Sequence, residues 1–277
     1  MSSANLSLAS TTSNHCSSPT TSTCSSLWLE GVTDDKLYHF GLYKSDKDLK
    51  SKFGDVKFVC IGGSPGRLCA YAELFAKNMN IDKSCNLSHT DRFSMWKTGP
   101  VLWINATWNG RASLSIMLVE SIKLLHYAGA TNFQFIRLGT SGGVGVTPGT
   151  IVVSNGAVNG LLEEKTHTIC QGEIVKRDAI LDQGLSTKLY QTALKLALPM
   201  RLDGLFYGVK NIEMESTGFA AFTHRAGIPA AILCVAVVNR MRDDQVVVDK
   251  DTYHEFEMRP FQVVYAYIKE CMLVNST

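Results

Sequence analysis

The chain predicts an α/β fold, on three observations. From Val56 onward, short apolar runs of strand character alternate with longer stretches of helical spacing. One run, Ala230 to Val238, is almost wholly apolar, as in a strand covered on both faces. Hydrophobic residues fill 45% of the 277 positions, enough for a substantial core. In chain order, Val56 to Ile61 reads as the first strand, followed by a tight turn and a helix from Arg67. Val101 to Ile104 is the next strand, and it leads to a helix over Leu114 to Tyr127. In that helix Met117, Leu118, Ile122, Leu125 and His126 form the wide face expected of packing on a sheet. Phe133 to Leu138 and Thr150 to Val153 are strands, an apolar helix starts near Thr217, Ala230 to Val238 is the last strand, and residues 252 to 274 close the chain as a helix. Residues 1 to 27 are dominated by Ser, Thr and Asn and are expected to form a disordered tail, which leaves 28 to 277 as one domain.

Composition excludes several classes. A net charge of +2 gives no basis for nucleic-acid or membrane binding. No apolar run approaches the roughly 20 residues of a membrane span, and no basic start precedes an apolar core as in a secretory signal, so a cytoplasmic setting is expected. The eight cysteines, at 16, 24, 60, 69, 85, 170, 234 and 271, lack CxxC or Cys/His pairing and read as reduced thiols, with no metal site expected. The glycosylation tripeptides at Asn86, Asn105 and Asn275 read as chance matches.

Two turns suit an anion. Phe135-Ile136-Arg137-Leu138-Gly139-Thr140-Ser141-Gly142-Gly143 places a lone arginine near the end of an apolar strand, and Gly139 to Gly145 is expected to turn tightly around a ligand. Backbone N–H groups, the Thr140 hydroxyl and a fixed guanidinium suit phosphate, which rewards short charge-assisted hydrogen bonds. Gly62-Gly63-Ser64-Pro65-Gly66-Arg67 puts a second arginine in the first turn of a helix, where free N–H groups favour negative charge. It is neither a Walker loop nor a GxGxxG turn. Gly139 to Gly143 also matches GxSxG, with Ser141 in the nucleophile's place. That motif demands strand, sharp turn and helix, and here another strand follows; His224 and His254 are lone histidines. Finally, Asn211-Ile212-Glu213-Met214-Glu215-Ser216 sets two carboxylates around a methionine. One carboxylate can grip vicinal ribose hydroxyls while the thioether lies under the ring; equally, acidic residues are favoured at a helix start.

Together these segments, GGSPGR (62 to 67), DRFSMWKTGPV (91 to 101), IRLGTSGGVGVTPGT (136 to 150), RLDG (201 to 204), NIEMES (211 to 216) and Val238-Asn239-Arg240, resemble the nucleoside phosphorylase superfamily, and within it the eukaryotic-type uridine phosphorylases, over about residues 36 to 270. The resemblance implies a single domain with a central mixed, partly closed sheet flanked by helices, in an obligate dimer or a hexamer of dimers. It implies reversible phosphorolysis of uridine or a related pyrimidine nucleoside to free base and ribose 1-phosphate, with inorganic phosphate as co-substrate and no cofactor. Carried over by position, Gly63, Arg67, Arg137 and Thr140 hold phosphate, joined by Arg92 from the partner subunit. Met214 and Glu215 hold the ribose, His39 reaches the 5′-hydroxyl in the neighbouring site, and Arg201 binds the base.

Two departures from the family pattern are visible. Pro199 stands where a glutamine is expected to read uracil, and proline offers neither amide side chain nor N–H. The span from Arg177 to Arg201, and the 13 residues between Arg201 and Glu215, are short and predict a missing strand and helix. In Asn105 to Ala112, Trp108 and Arg111 are bulkier than the small residues expected and are expected to fill or reshape the nucleoside pocket. The alternative function that follows is an impaired paralogue that keeps dimerisation and phosphate binding but lacks turnover.

Overall fold

The computed structural model describes residues 32–106, 110–203 and 208–274, with side chains at 106 and 200–203 left aside. The expected tail (1 to 27) and Trp108 lie outside the described residues. In chain order the elements are β1 (Lys36–Leu37), β2 (Leu42–Tyr43), α1 (Leu49–Phe53), β3 (Phe58–Gly62), α2 (Pro65–Met79), β4 (Phe93–Thr98), β5 (Val101–Ala106), α3 (Arg111–Tyr127) and β6 (Gln134–Gly143). They continue with β7 (Ile151–Ser154), β8 (Lys165–Cys170), β9 (Glu173–Asp178), α4 (Gln183–Lys195), β10 (Met200–Asp203), β11 (Asn211–Ile212), α5 (Ser216–Arg225), β12 (Ala230–Asn239) and α6 (Lys250–Val274).

Eight strands form a mixed sheet in the order β10-β7-β12-β6-β3-β5-β4, with β11 paired to β6. The central strands β5, β3, β6 and β12 run parallel, and antiparallel strands flank them. Because strand side chains alternate between faces, each central strand feeds two cores. Val59, Ile61, Phe135 and Ile232 join α1, α3 and α5 on one face; Phe58, Cys60, Ile136 and Leu233 join α2, α4 and α6 on the other. This double covering is why Ala230 to Val238 shows an apolar run rather than alternation. Trp103 is fully buried, and its Nε1 donates to Thr98 Oγ1 at 2.7 Å.

The helices begin where backbone donors can be met. Ser64 caps α2, its Oγ accepting from Arg67 N, and Pro65 occupies the first turn, where its missing N–H costs nothing. Asp182 caps α4, accepting from Leu185 N at 2.7 Å. One expectation needs correction: the chain does not turn at Gly139. β6 continues to Gly143 because β12 pairs with it as far as Asn239↔Gly143, and β11 pairs with Gly142 and Gly143. At Gly142 the Arg240 side chain packs close over the strand, so that a Cβ there would come within 2.5 Å of Arg240 Nε and displace it.

The span from Arg177 to Arg201, expected to be short, contains α4 and the start of β10. Pro199 is exposed just ahead of β10, where its carbonyl accepts from Ile151 N at 2.9 Å and its missing N–H breaks no ladder bond. Six cysteines of the described residues are free, with Cys60 and Cys234 fully buried. Asn105 is fully buried, and Asn86 Oδ1 accepts from Ser88 N and Met95 N, so both side chains belong to the fold. Among the described residues no helix is long and apolar enough to cross a membrane, and no group of three or more His, Cys, Asp or Glu is placed for a metal ion.

Candidate active site

The C-terminal ends of β3, β6 and β12 meet at one cavity, as expected for ligand sites in open α/β sheets. Arg137 is the central residue, level with Ile61 of β3 on one side and Ile232 of β12 on the other. β3 then delivers Gly63, Ser64 and, in the first turn of α2, Arg67 to the same rim. β6 adds Thr140 and Ser141, and β11 hands over Glu213, Met214 and Glu215 through its pairing with Gly142 and Gly143. These residues and Arg240 line a volume of about 400 Å³.

Arg137 is only 5% exposed. Its Nη2 donates to Glu213 Oε2 at 2.5 Å and to Glu215 Oε2 at 2.6 Å. Glu215 is also fixed by Gly110 N at 2.6 Å, and Glu213 Oε1 accepts from the backbone N of Glu215 and Ser216 at the start of α5. Arg67 Nη2 pairs with Glu257 of α6. Yet the Nε of Arg67 and the Nε of Arg137 are both buried and donate to nothing within the described residues. A buried N–H without an acceptor is costly, and both arginines line this cavity, which could receive an acceptor-rich anion.

The charges are strongly coupled. Burial by itself would push Glu213 up, but Arg137 and the hydrogen bonds from the Ser216 region hold it down at about 2. Glu215 goes the other way: burial raises it, and the neighbouring Glu213 adds to the rise. Burial alone would lower Arg137, but Glu213 and then Glu215 outweigh it and leave the guanidinium above its ordinary value. The site therefore holds a permanent cation between a firmly ionised carboxylate and one that protonates more readily.

Of the residues expected from the sequence, Gly63, Arg67, Arg137, Thr140, Met214 and Glu215 share this cavity. Met214 is 65% exposed and sits at its mouth. His39 and Arg92 are not among its lining residues. They share a separate corner, where Thr90 Oγ1 donates to His39 O and accepts from Arg92 N. Arg201 has its backbone in β10, opposite Val152, three strand spacings or about 14 Å from β6. Arg111 is not among the residues that line this cavity. It is drawn outward, donating to Thr166 Oγ1 at 2.8 Å and His167 O at 3.0 Å, and packs its stem over Gly218. Ser141 lies inside β6 with Oγ 3.5 Å from Val235 O, so the nucleophile-elbow geometry is absent.

Glu213, Arg240 and Glu257 gained no role from the sequence. The two-residue spacing of Glu213 and Glu215 was visible, but their common partner, 76 and 78 residues upstream, was not.

The model of the phosphorylase superfamily matches residues 57–207. A uridine and thymidine phosphorylase from Caenorhabditis elegans is 49% identical to this chain, covering 85% of it and 91% of the relative. Uridine phosphorylase 2 from Mus musculus is 36% identical, covering 88% of each. The solved structure of uridine phosphorylase from Schistosoma mansoni in complex with uracil superposes with a TM-score of 0.80 at 34% identity, covering 88% of this chain and 97% of that one. With the same fold, and the arginine-lined cavity at the ends of its central strands, the chain belongs to the phosphorylase superfamily and is of the eukaryotic uridine phosphorylase type.

Proposed function

We propose that this chain catalyses the reversible phosphorolysis of pyrimidine nucleosides, uridine and thymidine among them, to free base and pentose 1-phosphate. The observation that carries the reading is the pair of buried, unpartnered guanidinium Nε atoms of Arg67 and Arg137 at a cavity that also holds Glu215. Phosphate satisfies both donors at once, with Thr140 Oγ1 and the N–H groups at Gly63 completing its shell.

In the reaction a phosphate oxygen bonds to C1′ as the C1′–N1 bond breaks. The bond's electron pair leaves with the base, and the proton carried by hydrogen phosphate ends on the base. Fixed phosphate negative charge stabilises the oxocarbenium character of the stretching sugar. Glu215 accepts from the ribose hydroxyls, Met214 lies against the ring, and Arg201 meets the charge growing on the base. No cofactor is required. His39 and Arg92, set apart from their own chain's cavity, serve the neighbouring site in a homodimer. The six cysteines among the described residues are free, two of them fully buried, in accord with a reducing cytoplasm.

The test is uridine incubated with full-length protein and inorganic phosphate. Uracil and ribose 1-phosphate are expected in equal amounts, with no base released when phosphate is left out. Phosphate-independent release overturns phosphorolysis in favour of hydrolysis, and no release returns the chain to the impaired alternative.

Because Glu215 must be ionised to accept from ribose, and its carboxyl is raised, kcat/KM is expected to fall as pH drops while still above the ordinary glutamate range. Glu213→Gln removes a charge that raises Glu215, so the acid limb should move to lower pH. An unmoved or upward-moved limb contradicts the coupling.

A further inference from the structure

A buried carboxylate outside the cavity has no part in the chemistry above. Glu120, in the middle of α3, is 7% exposed and lies 81 residues from the group it holds. Both its oxygens accept from His39 N at 3.0 Å, Oε2 accepts from Phe40 N at 3.1 Å, and Oε1 lies 2.7 Å from His39 Nδ1. A carboxylate accepts and does not donate, so the ring proton belongs on Nδ1 and the lone pair on Nε2. The imidazole is held further by ring contacts, edge-on to Tyr38 at 5.2 Å and tilted against Phe93 at 5.6 Å. Its side chain keeps 26% exposure, so it is fixed yet accessible.

We propose that Glu120 is the positioning residue of His39. It selects the Nδ1–H tautomer and sets the ring so that Nε2 accepts a hydrogen bond from the ribose 5′-hydroxyl of a nucleoside in the neighbouring subunit. The proposal rests on the nucleoside phosphorylase reading and on His39 serving that hydroxyl. A purely structural Glu120, clamping the turn at His39 and Phe40, has no reason to favour a substrate that carries the 5′-hydroxyl over one that lacks it.

Glu120→Gln separates the two. Its amide keeps one acceptor and turns a donor toward the ring, forcing the proton to Nε2. The discriminating quantity is kcat/KM for uridine divided by that for 5′-deoxyuridine, which lacks only the hydroxyl in question. The ratio is expected to fall about tenfold in Glu120→Gln and to a similar degree in His39→Ala, with no further fall in the double variant. An unchanged ratio in Glu120→Gln beside a lowered one in His39→Ala overturns the role of Glu120 alone. An unchanged ratio in His39→Ala overturns the reading of His39 and the proposal with it. Should Glu120→Gln fail to fold, ¹⁵N NMR of the histidine rings in the unaltered protein decides: His39 protonated at Nδ1 supports the proposal, and at Nε2 overturns it.

Discussion

Arg137→Lys is expected to fold and to lose phosphate affinity by about 10- to 150-fold, the loss of one charge-assisted hydrogen bond of about 1.5–3 kcal/mol. Lysine keeps a cation beside Glu213 and Glu215, so the buried carboxylates stay neutralised. It cannot point one donor at the carboxylates and another, at a fixed angle, at the anion, which the planar guanidinium does through Nη2 and Nε. Arg137→Ala should behave differently. It strands two buried carboxylates, and breaking such a pair costs about 3–5 kcal/mol. Its loss of binding therefore arrives mixed with a loss of stability, visible as a Tm lowered by roughly 6–20 °C for a domain of this size. Calorimetric titration of phosphate beside thermal unfolding separates the two variants. Unchanged phosphate affinity in a folded Arg137→Lys would place the anion elsewhere.

Glu215→Gln is expected to lower kcat/KM for uridine by about 100- to 1,000-fold, chiefly through kcat. Glu215 is held by Gly110 N and Arg137 Nη2, both donors, so an amide NH₂ in its place must face one of them or the ribose. The carboxylate's negative charge is also lost beside a sugar that becomes positive as the glycosidic bond stretches. Because the grip proposed for it is on vicinal hydroxyls, the penalty should be smaller on 2′-deoxyuridine, which offers one of the two. Equal penalties on both substrates would remove Glu215 from the ribose and leave it as Arg137's counter-ion.

The strands that build the sheet were legible because β3 and β12 are buried on both faces and therefore read as near-continuous apolar runs, as β6 does up to Leu138 apart from Arg137. The hairpin of β8 and β9 was not, since Thr166 is its one fully buried residue and Ile169 and Ile174 face solvent, leaving no apolar alternation. α4 carried its signal in Leu185, Leu189 and Ala193 behind the Asp182 cap, but the span was read as shortened. At the site, glycines and arginines near strand ends pointed to the anion, because that chemistry is local in sequence. Long-range pairing was invisible: nothing near Arg137 announces Glu213 and Glu215, nothing near His39 announces Glu120, and the outward turn of Arg111 depends on Thr166 and His167 more than 50 residues away. Bulk alone did not show where the Arg111 guanidinium goes, and continuation of β6 through its glycines depended on pairing with β11 and β12.

The phosphate proposed for this cavity lies against the two unpartnered guanidinium nitrogens of Arg67 and Arg137. A crystal of the protein soaked in inorganic phosphate tests this placement most directly. The expected result is one phosphate within hydrogen-bond distance of Arg67 Nε, Arg137 Nε and Thr140 Oγ1. Phosphate bound elsewhere in a crystal that still turns over nucleoside, with both Nε atoms left bare, would contradict it.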